Sequence, residues 1–520
     1  MNRFYVCFFG ILHHGIQEVF MTSEDALKQY SDWKFRLSAY EMAISIINID
    51  KMTVAPQAGA AFRDERTAFL SGEAFAIQND PKILPVLQLI LKEEPEDSFL
   101  RKEAELYLKE IMKIQAVPKD EYVAFKKAAD ASYDAWLEAK TSADYSVFRP
   151  HLEGMIAWQK KLYGYRSSSL PLYDQMLDEY EPGTNTAFYD RFFNRLKERI
   201  LPLIKRVNDA AKIEDAFLFQ SCPVDIQKAW VHNTLLPYLG FDPSWGYQNE
   251  TEHPFTSWTC ENDCRTTTKY LENNLVSTVY STVHEVGHAW YEHNIDPRFD
   301  GTILSSGVSS GMHESQSRFC ENYLARSLPF WQANYKSLQN AFPAQLGGIP
   351  VEQFVRAVNA SHPSLIRTEA DELTYPIHIL IRYEIEKGMF DGTIPCEELE
   401  TVWNQKYYEY LGVAVPDAAS GILQDVHWSD GSFGYFPTYA LGSAFAAQFY
   451  RKMRSEMDVD EALRNGRYTD CIDWLKTHIH RHGARYNADE IMKMATGESF
   501  NPDYYLDYLE QKFSDLYGLQ

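Results

Sequence analysis

The chain reads as an all-α protein, predominantly helical, with one small β-sheet. Three observations predict this. Apolar residues recur at spacings of three and four along most of the length. Prolines such as Pro118, Pro150, Pro171, Pro223 and Pro416 punctuate the periodic stretches. The one stretch with strand character, where Tyr247, Phe255, Thr256 and Trp258 cluster, is confined to residues 241–258. At 520 residues, with 45% hydrophobic and 14% aromatic content, the chain can bury a large core. No linker rich in Pro, Gly or Ser divides it and no internal repeat is visible, so residues 21–520 are expected to form a single domain.

In chain order, residues 1–20 stand apart. Arg3 and a short apolar run from Phe4 to Leu12 invite comparison with a secretion signal, but two histidines follow and no small-x-small cleavage site appears. We read them as an extension, with Met21 a candidate initiator. Helices are then expected over residues 23–49, 99–114, 120–162 with a break near Pro150, 185–213 and 224–239. After the strand-like segment, Leu271, Leu275, Val279, Val283 and Val286 mark a helix within residues 266–294. Pro297 and the run Gly301, Ser305, Ser306, Gly307, Ser309, Ser310, Gly311 read as a loop, and a helix over residues 310–326 closes at Ser327-Leu328-Pro329. Later helices are expected from Thr368, at residues 396–411 and at residues 437–457.

The chemistry centres on His284-Glu285-Val286-Gly287-His288. With 15 histidines in the chain, roughly 0.03 to 0.04 copies of His-Glu-x-x-His are expected by chance. One helical turn apart, His284 and His288 share a face and can converge on one ion, while Glu285 borders it. Gly287 inside the helix costs about 1 kcal/mol relative to Ala, which implies a close neighbour on that face. The helix-loop-helix that follows can fold Glu314 back against the histidines. Two His and one Glu leave a fourth position open for water, as in catalytic zinc sites. The plain alternatives are an exposed histidine pair on an amphipathic helix, and a Glu314 that merely pairs with Arg318 at i+4.

Six stretches, in order, resemble the carboxypeptidase Taq family of metallocarboxypeptidases, within the wider gluzincin group. They are His253-Pro254-Phe255, Asp263-Cys264-Arg265-Thr266-Thr267, the motif from His284 to His288, His313-Glu314-Ser315-Gln316, Ile366-Arg367-Thr368-Glu369-Ala370-Asp371, and Gly421-Ile422-Leu423-Gln424-Asp425-Val426-His427-Trp428. The resemblance spans Met21 to the C terminus. It implies two helical halves around a deep active-site groove, a catalytic domain over residues 21–520, a homodimer, and one divalent metal per chain held by His284, His288 and Glu314, zinc with cobalt as the alternative. It also implies recognition of the substrate's C terminus by the Arg367 and Gln424 motifs, with His253 among the substrate-binding residues, and His427 with Tyr439 or Tyr435 at the oxyanion. Cys264, Cys320 and Val286 depart from the family's usual residues at their positions.

A net charge of −23 argues against nucleic acid or an anionic membrane as partner. It also sharpens the recognition problem, because a terminal carboxylate needs a local cation. Arg367 is the leading candidate, placed where a helix N-terminus beginning at Thr368 would reinforce its grip. Arg265 is the second, with Asp263 or Asp371 as rival structural partners. The expected activity is removal of single C-terminal residues from peptides, with broad specificity and Glu285 as general base. An endo- or oligopeptidase on the same scaffold and a non-catalytic helical binding protein stay open. Seven scattered cysteines fit a reducing compartment, hence the cytoplasm, and no run reaches the length of a membrane helix.

Overall fold

In the computed structural model, residues 22–166 and 168–519 are described, so the expectations for residues 1–20 and for a start at Met21 lie outside the described residues. The chain is predominantly helical, with a three-stranded sheet of β1 (Gly246–Glu250), β2 (Thr256–Cys260) and β3 (Asp263–Thr268). β3 is central, parallel to β1 and antiparallel to β2, with a register shift between Trp258 and Cys260. The strand signal therefore stopped one strand short. The last three residues of β3 lie in the expected helix range 266–294, and that helix begins only at Leu275, capped by Asn274 accepting from the Ser277 N–H.

The helices at Ser23–Thr53, Ala60–Gln78, Ile83–Glu93 and Phe99–Gln115 build a core of their own from Tyr30, Trp33, Leu87, Tyr107 and their neighbours. A second, larger core runs from Phe125 to Phe513 and contains the helices that carry the site. The break expected near Pro150 falls at Ala143 instead, in the left-handed region at φ 54°, after which Asp144 caps a helix at Tyr145–Gly164 that contains Pro150. An Asp able to cap Ser146 N–H outcompetes the proline, whose loss of one hydrogen bond is absorbed near the helix start. The helix expected from Thr368 is likewise displaced. Residues Arg367–Glu369 form a single 3-10 turn, and the α-helix starts at Tyr375. Asp371 accepts from the Leu373 and Thr374 N–H groups and the Thr374 hydroxyl, so the acid serves the loop before the helix.

Three helices converge on the site. The histidine helix (Leu275–His293) is buried on nearly every face. The glutamate helix (Ser310–Arg318), capped by Ser309, continues into a π-helical stretch at Phe319–Ala325. The tyrosine helix spans Pro437–Glu456. Two glycines let these backbones approach. A Cβ at Gly287 would lie 2.8 Å from Ser317 Cα and 2.9 Å from the Gln316 carbonyl oxygen, and one at Gly442 would lie 2.8 Å from Glu314 Cβ and Cγ. The glutamate helix is thus held between a glycine of the histidine helix and a glycine of the tyrosine helix.

Gly287→Ala should gain up to about 1 kcal/mol of helix propensity and lose about 1–3 kcal/mol to overpacking, because the obstructing atoms are backbone. The expected net result is a lower midpoint of urea unfolding. Gly72→Ala, in a helix where an added Cβ meets nothing within 4 Å, should raise it; a Gly287→Ala midpoint at or above wild type would contradict the packing argument.

Candidate metal centre and active site

The histidine and glutamate helices bring three ligand atoms together. Glu314 Oε2 lies 3.7 Å from His284 Nε2 and 3.6 Å from His288 Nε2, and the ligand atoms of the trio all fall within 4.8 Å of one another. Atoms bound at about 2.0–2.2 Å to one ion are spaced roughly this way, and two imidazoles with one carboxylate suit a divalent metal with a position left over. The donor set therefore fits a catalytic metal. The alternative partner of Glu314 is also present: Arg318 Nε donates to Oε1 at 2.7 Å, while Oε2 faces the imidazoles. Burial raises the Glu314 carboxyl, but Arg318 and the imidazoles override it and hold the group well below the ordinary range.

Each imidazole is oriented from behind. His284 Nδ1 lies 3.0 Å from Glu321 Oε2, and Glu321 also binds Arg318 and Arg326, each at 3.1 Å. A carboxylate only accepts, so the His284 proton sits on Nδ1 and the Nε2 lone pair is free for a metal. His288 reaches the same state through an intermediary. Glu292 Oε1 lies 2.8 Å from His313 Nε2, and His313 Nδ1 lies 2.6 Å from His288 Nδ1. The carboxylate fixes the proton on His313 Nε2, its Nδ1 accepts from His288 Nδ1–H, and His288 Nε2 is left bare.

The sheet acts on this centre through β2. The Thr256 hydroxyl donates to Glu285 Oε2 at 2.6 Å, orienting the carboxylate beside the three candidate ligands, and the Trp258 ring stacks on His313 at 5.5 Å. Burial raises the Glu285 carboxyl above its ordinary range, against the pull of His284 and Thr256.

Arg367, Gln424 and His427 gather on a neighbouring wall. Arg367 is buried and donates to Asp425 Oδ1 from Nε (3.1 Å) and Nη2 (2.8 Å), while Arg382 donates to Oδ2 at 2.7 Å. Two guanidiniums share one carboxylate, which leaves a surplus positive charge. Arg367 sits 5.1 Å from the Tyr439 ring. Gln424 is committed to the main chain: Oε1 accepts the Arg367 N–H at 2.9 Å and Nε2 reaches the Leu365 carbonyl at 3.1 Å, so it holds the Arg367 turn. The dipole support expected for Arg367 is absent, because the α-helix starts eight residues later. Arg265 takes the structural alternative, forked on Asp263 at 2.7 and 2.8 Å. His253 is exposed between β1 and β2, its carbonyl accepting the Thr251 hydroxyl.

His427 packs against Phe436, Tyr435 and Tyr439, with ring centroids at 4.5, 5.6 and 6.4 Å, and its Nδ1 is buried without a hydrogen-bond partner. Burial pushes its imidazole down to about 4, so it is neutral at neutral pH. Tyr439, one turn before Gly442, rides the helix face pressed on Glu314, and its ring meets that of Tyr435 at 5.1 Å.

Glu321, Glu292, Thr256, Arg382 and the orienting role of His313 were missed from sequence. A signal existed for Glu292, which follows His288 by one helical turn, and for Glu321, three residues beyond Arg318 on a continuing helical stretch. Thr256 and Arg382 carry none, since their partners are distant in sequence.

With this geometry in place, comparison with known proteins points one way. The model of a family described as carboxypeptidase Taq (M32) metallopeptidase matches residues 29–513. Carboxypeptidase 1 of Bacillus subtilis is 41% identical over 497 residues, covering 95% of this chain and 99% of that protein. Thermostable carboxypeptidase 1 of Thermus thermophilus is 34% identical, covering 96% of this chain and 100% of that protein. The crystal structure of the M32 carboxypeptidase from Deinococcus radiodurans R1 superposes with a TM-score of 0.91 at 31% identity, covering 95% of this chain and 99% of that one.

If Glu321 and His313 orient the imidazoles, Glu321→Gln and His313→Asn should each weaken divalent-metal binding by about 10- to 100-fold. Competition with a chromophoric chelator reads this directly, and wild-type affinity in both variants would remove the orienting role.

Proposed function

Because the chain belongs to the carboxypeptidase Taq (M32) family and is a metallocarboxypeptidase acting on peptides, we propose that it removes single residues from free C termini, using one zinc ion, or cobalt, held by His284, His288 and Glu314, with Glu285 as general base. The observation that carries this reading is the convergence of three ligand atoms beside an oriented carboxylate, with an arginine pair in charge surplus on the adjoining wall. Bound there, the metal supplies Lewis-acid polarisation of the scissile carbonyl and acidifies water.

The chain's own groups do the rest. Glu285 Oε2, steered by Thr256, accepts the proton of the attacking water and passes it to the departing amine, so one carboxylate serves as base and then as acid. His427, neutral, donates to the oxyanion with Tyr439, or with Tyr435 in its place. Arg367 anchors the terminal carboxylate. The surplus charge of the Arg367–Asp425–Arg382 cluster supports this over Arg265, which Asp263 matches one to one. Gln424 contributes by holding the Arg367 turn, and His253 by lining the approach. Recognition through a carboxylate that every terminal residue shares supports broad specificity. The reading includes a homodimer and a cytoplasmic setting, the latter supported by cysteines that are all free among the described residues.

Mass-spectrometric digestion of a free-acid peptide and its C-terminal amide tests the proposal. The free acid should lose single residues and the amide should persist, whereas internal cleavage of both would replace the exopeptidase with an endopeptidase. Chelation should abolish activity, and zinc or cobalt should restore it. Glu285→Gln should retain one metal per chain and lose roughly 10²- to 10⁴-fold in kcat.

A further inference from the structure

Glu386, on the helix Tyr375–Asp391, is completely buried and among the described residues forms no ion pair. Burial pushes its carboxyl up to about 7, against three donors and the charge of Arg382, one helical turn earlier, which favour the ionised form. A buried carboxylate outside any ion pair costs stability relative to an apolar side chain of the same size, so what it contributes lies in what it holds. Trp428 Nε1–H donates to Oε1 at 2.8 Å, and the Gly434 N–H and the Tyr173 hydroxyl donate to Oε2, each at 2.8 Å.

Two of those donors, Trp428 and Gly434, bracket one loop. Trp428 immediately follows His427, and Gly434 closes the reversal that returns the chain to Tyr435 and the tyrosine helix. Between them the loop turns at Gly431 and Gly434, both at φ 86°. It passes so close to the helix Leu172–Tyr180 that a Cβ on Gly434 would lie 2.8 Å from the Met176 carbonyl carbon. His427 itself makes no hydrogen bond through Nδ1, so its ring is placed by packing and by the backbone that bears it.

We propose that Glu386 is a positioning residue for His427, one carboxylate gripping both ends of the loop that presents the imidazole to the reaction. The inference rests on the reading of His427 as an oxyanion donor. Replacing the carboxylate by an amide sets a donor against a donor at one end of the loop and lets the imidazole drift, while the metal ligands keep their own partners.

A double-mutant cycle on the metal-loaded enzyme decides it, with kcat and KM measured on a free-acid peptide for wild type, Glu386→Gln, His427→Ala and the double variant. Glu386→Gln should lower kcat by roughly 10- to 100-fold with KM within about twofold, at unchanged metal content. In the His427→Ala background the same change should cost less than about threefold, because there is no imidazole left to misplace. Trp428→Phe, which removes only the indole donor, should follow the same pattern and carries the test if Glu386→Gln does not fold. An equal factor in both backgrounds means a general structural role, and unchanged kcat in Glu386→Gln means none; either overturns the inference while leaving His427 intact. Unchanged kcat in His427→Ala alone overturns the role of His427 and the inference with it.

Discussion

The structure depends on the approach of three backbones at Gly287 and Gly442. The glutamate helix is flanked so closely that a single methyl on either side would collide with it, and that contact sets the distance from Glu314 to the two imidazoles. Metal ligands on separate helices are only as well placed as the helices themselves. Glycine gives up helix propensity here in exchange for an interhelical distance that larger residues would not allow.

Around that contact the charges are matched in layers. Glu314 and Glu321 are balanced by Arg318 and Arg326, so both carboxylates stay ionised despite burial. Glu321 and the His313–Glu292 pair then fix the tautomers from behind, leaving both Nε2 lone pairs directed at the same point. On the neighbouring wall two guanidiniums share Asp425, so that trio carries a net positive charge. In a chain of net charge −23, that trio is a local reversal of sign.

The small sheet would be a minor detail of a helical fold were it not for its position. β3 is tied to the histidine helix through Thr268 and Ser281 at 2.7 Å, and β2 reaches Glu285 and His313. A strand edge supplies a hydroxyl and a flat indole at fixed spacing, which helices packed by their apolar faces do not offer in this direction. Rigid support from the sheet side and from the Asp425 side confines the groups between them.

Sequence alone determined what depends on local spacing. The pairing of His284 with His288 and the predominance of helix follow from periodicity acting within a few residues. The six motifs determined the family before any fold was known. Tertiary structure decided whatever depends on partners far apart in the chain: Thr256 on Glu285, Arg382 with Arg367 on Asp425, Glu386 on Trp428 and Gly434. The break at Ala143 beside Pro150 and the late helix start after Arg367 are local by contrast: Asp144 and Asp371 accept from N–H groups two or three residues on, which outweighs the preference of a proline or a capping pattern. Local propensities are worth tenths of a kcal/mol to about 1 kcal/mol per residue, whereas leaving a buried polar group unpaired costs about 1–3 kcal/mol, so the partners of Glu285, Asp425 and Glu386 are settled by the tertiary fold that brings donors to them.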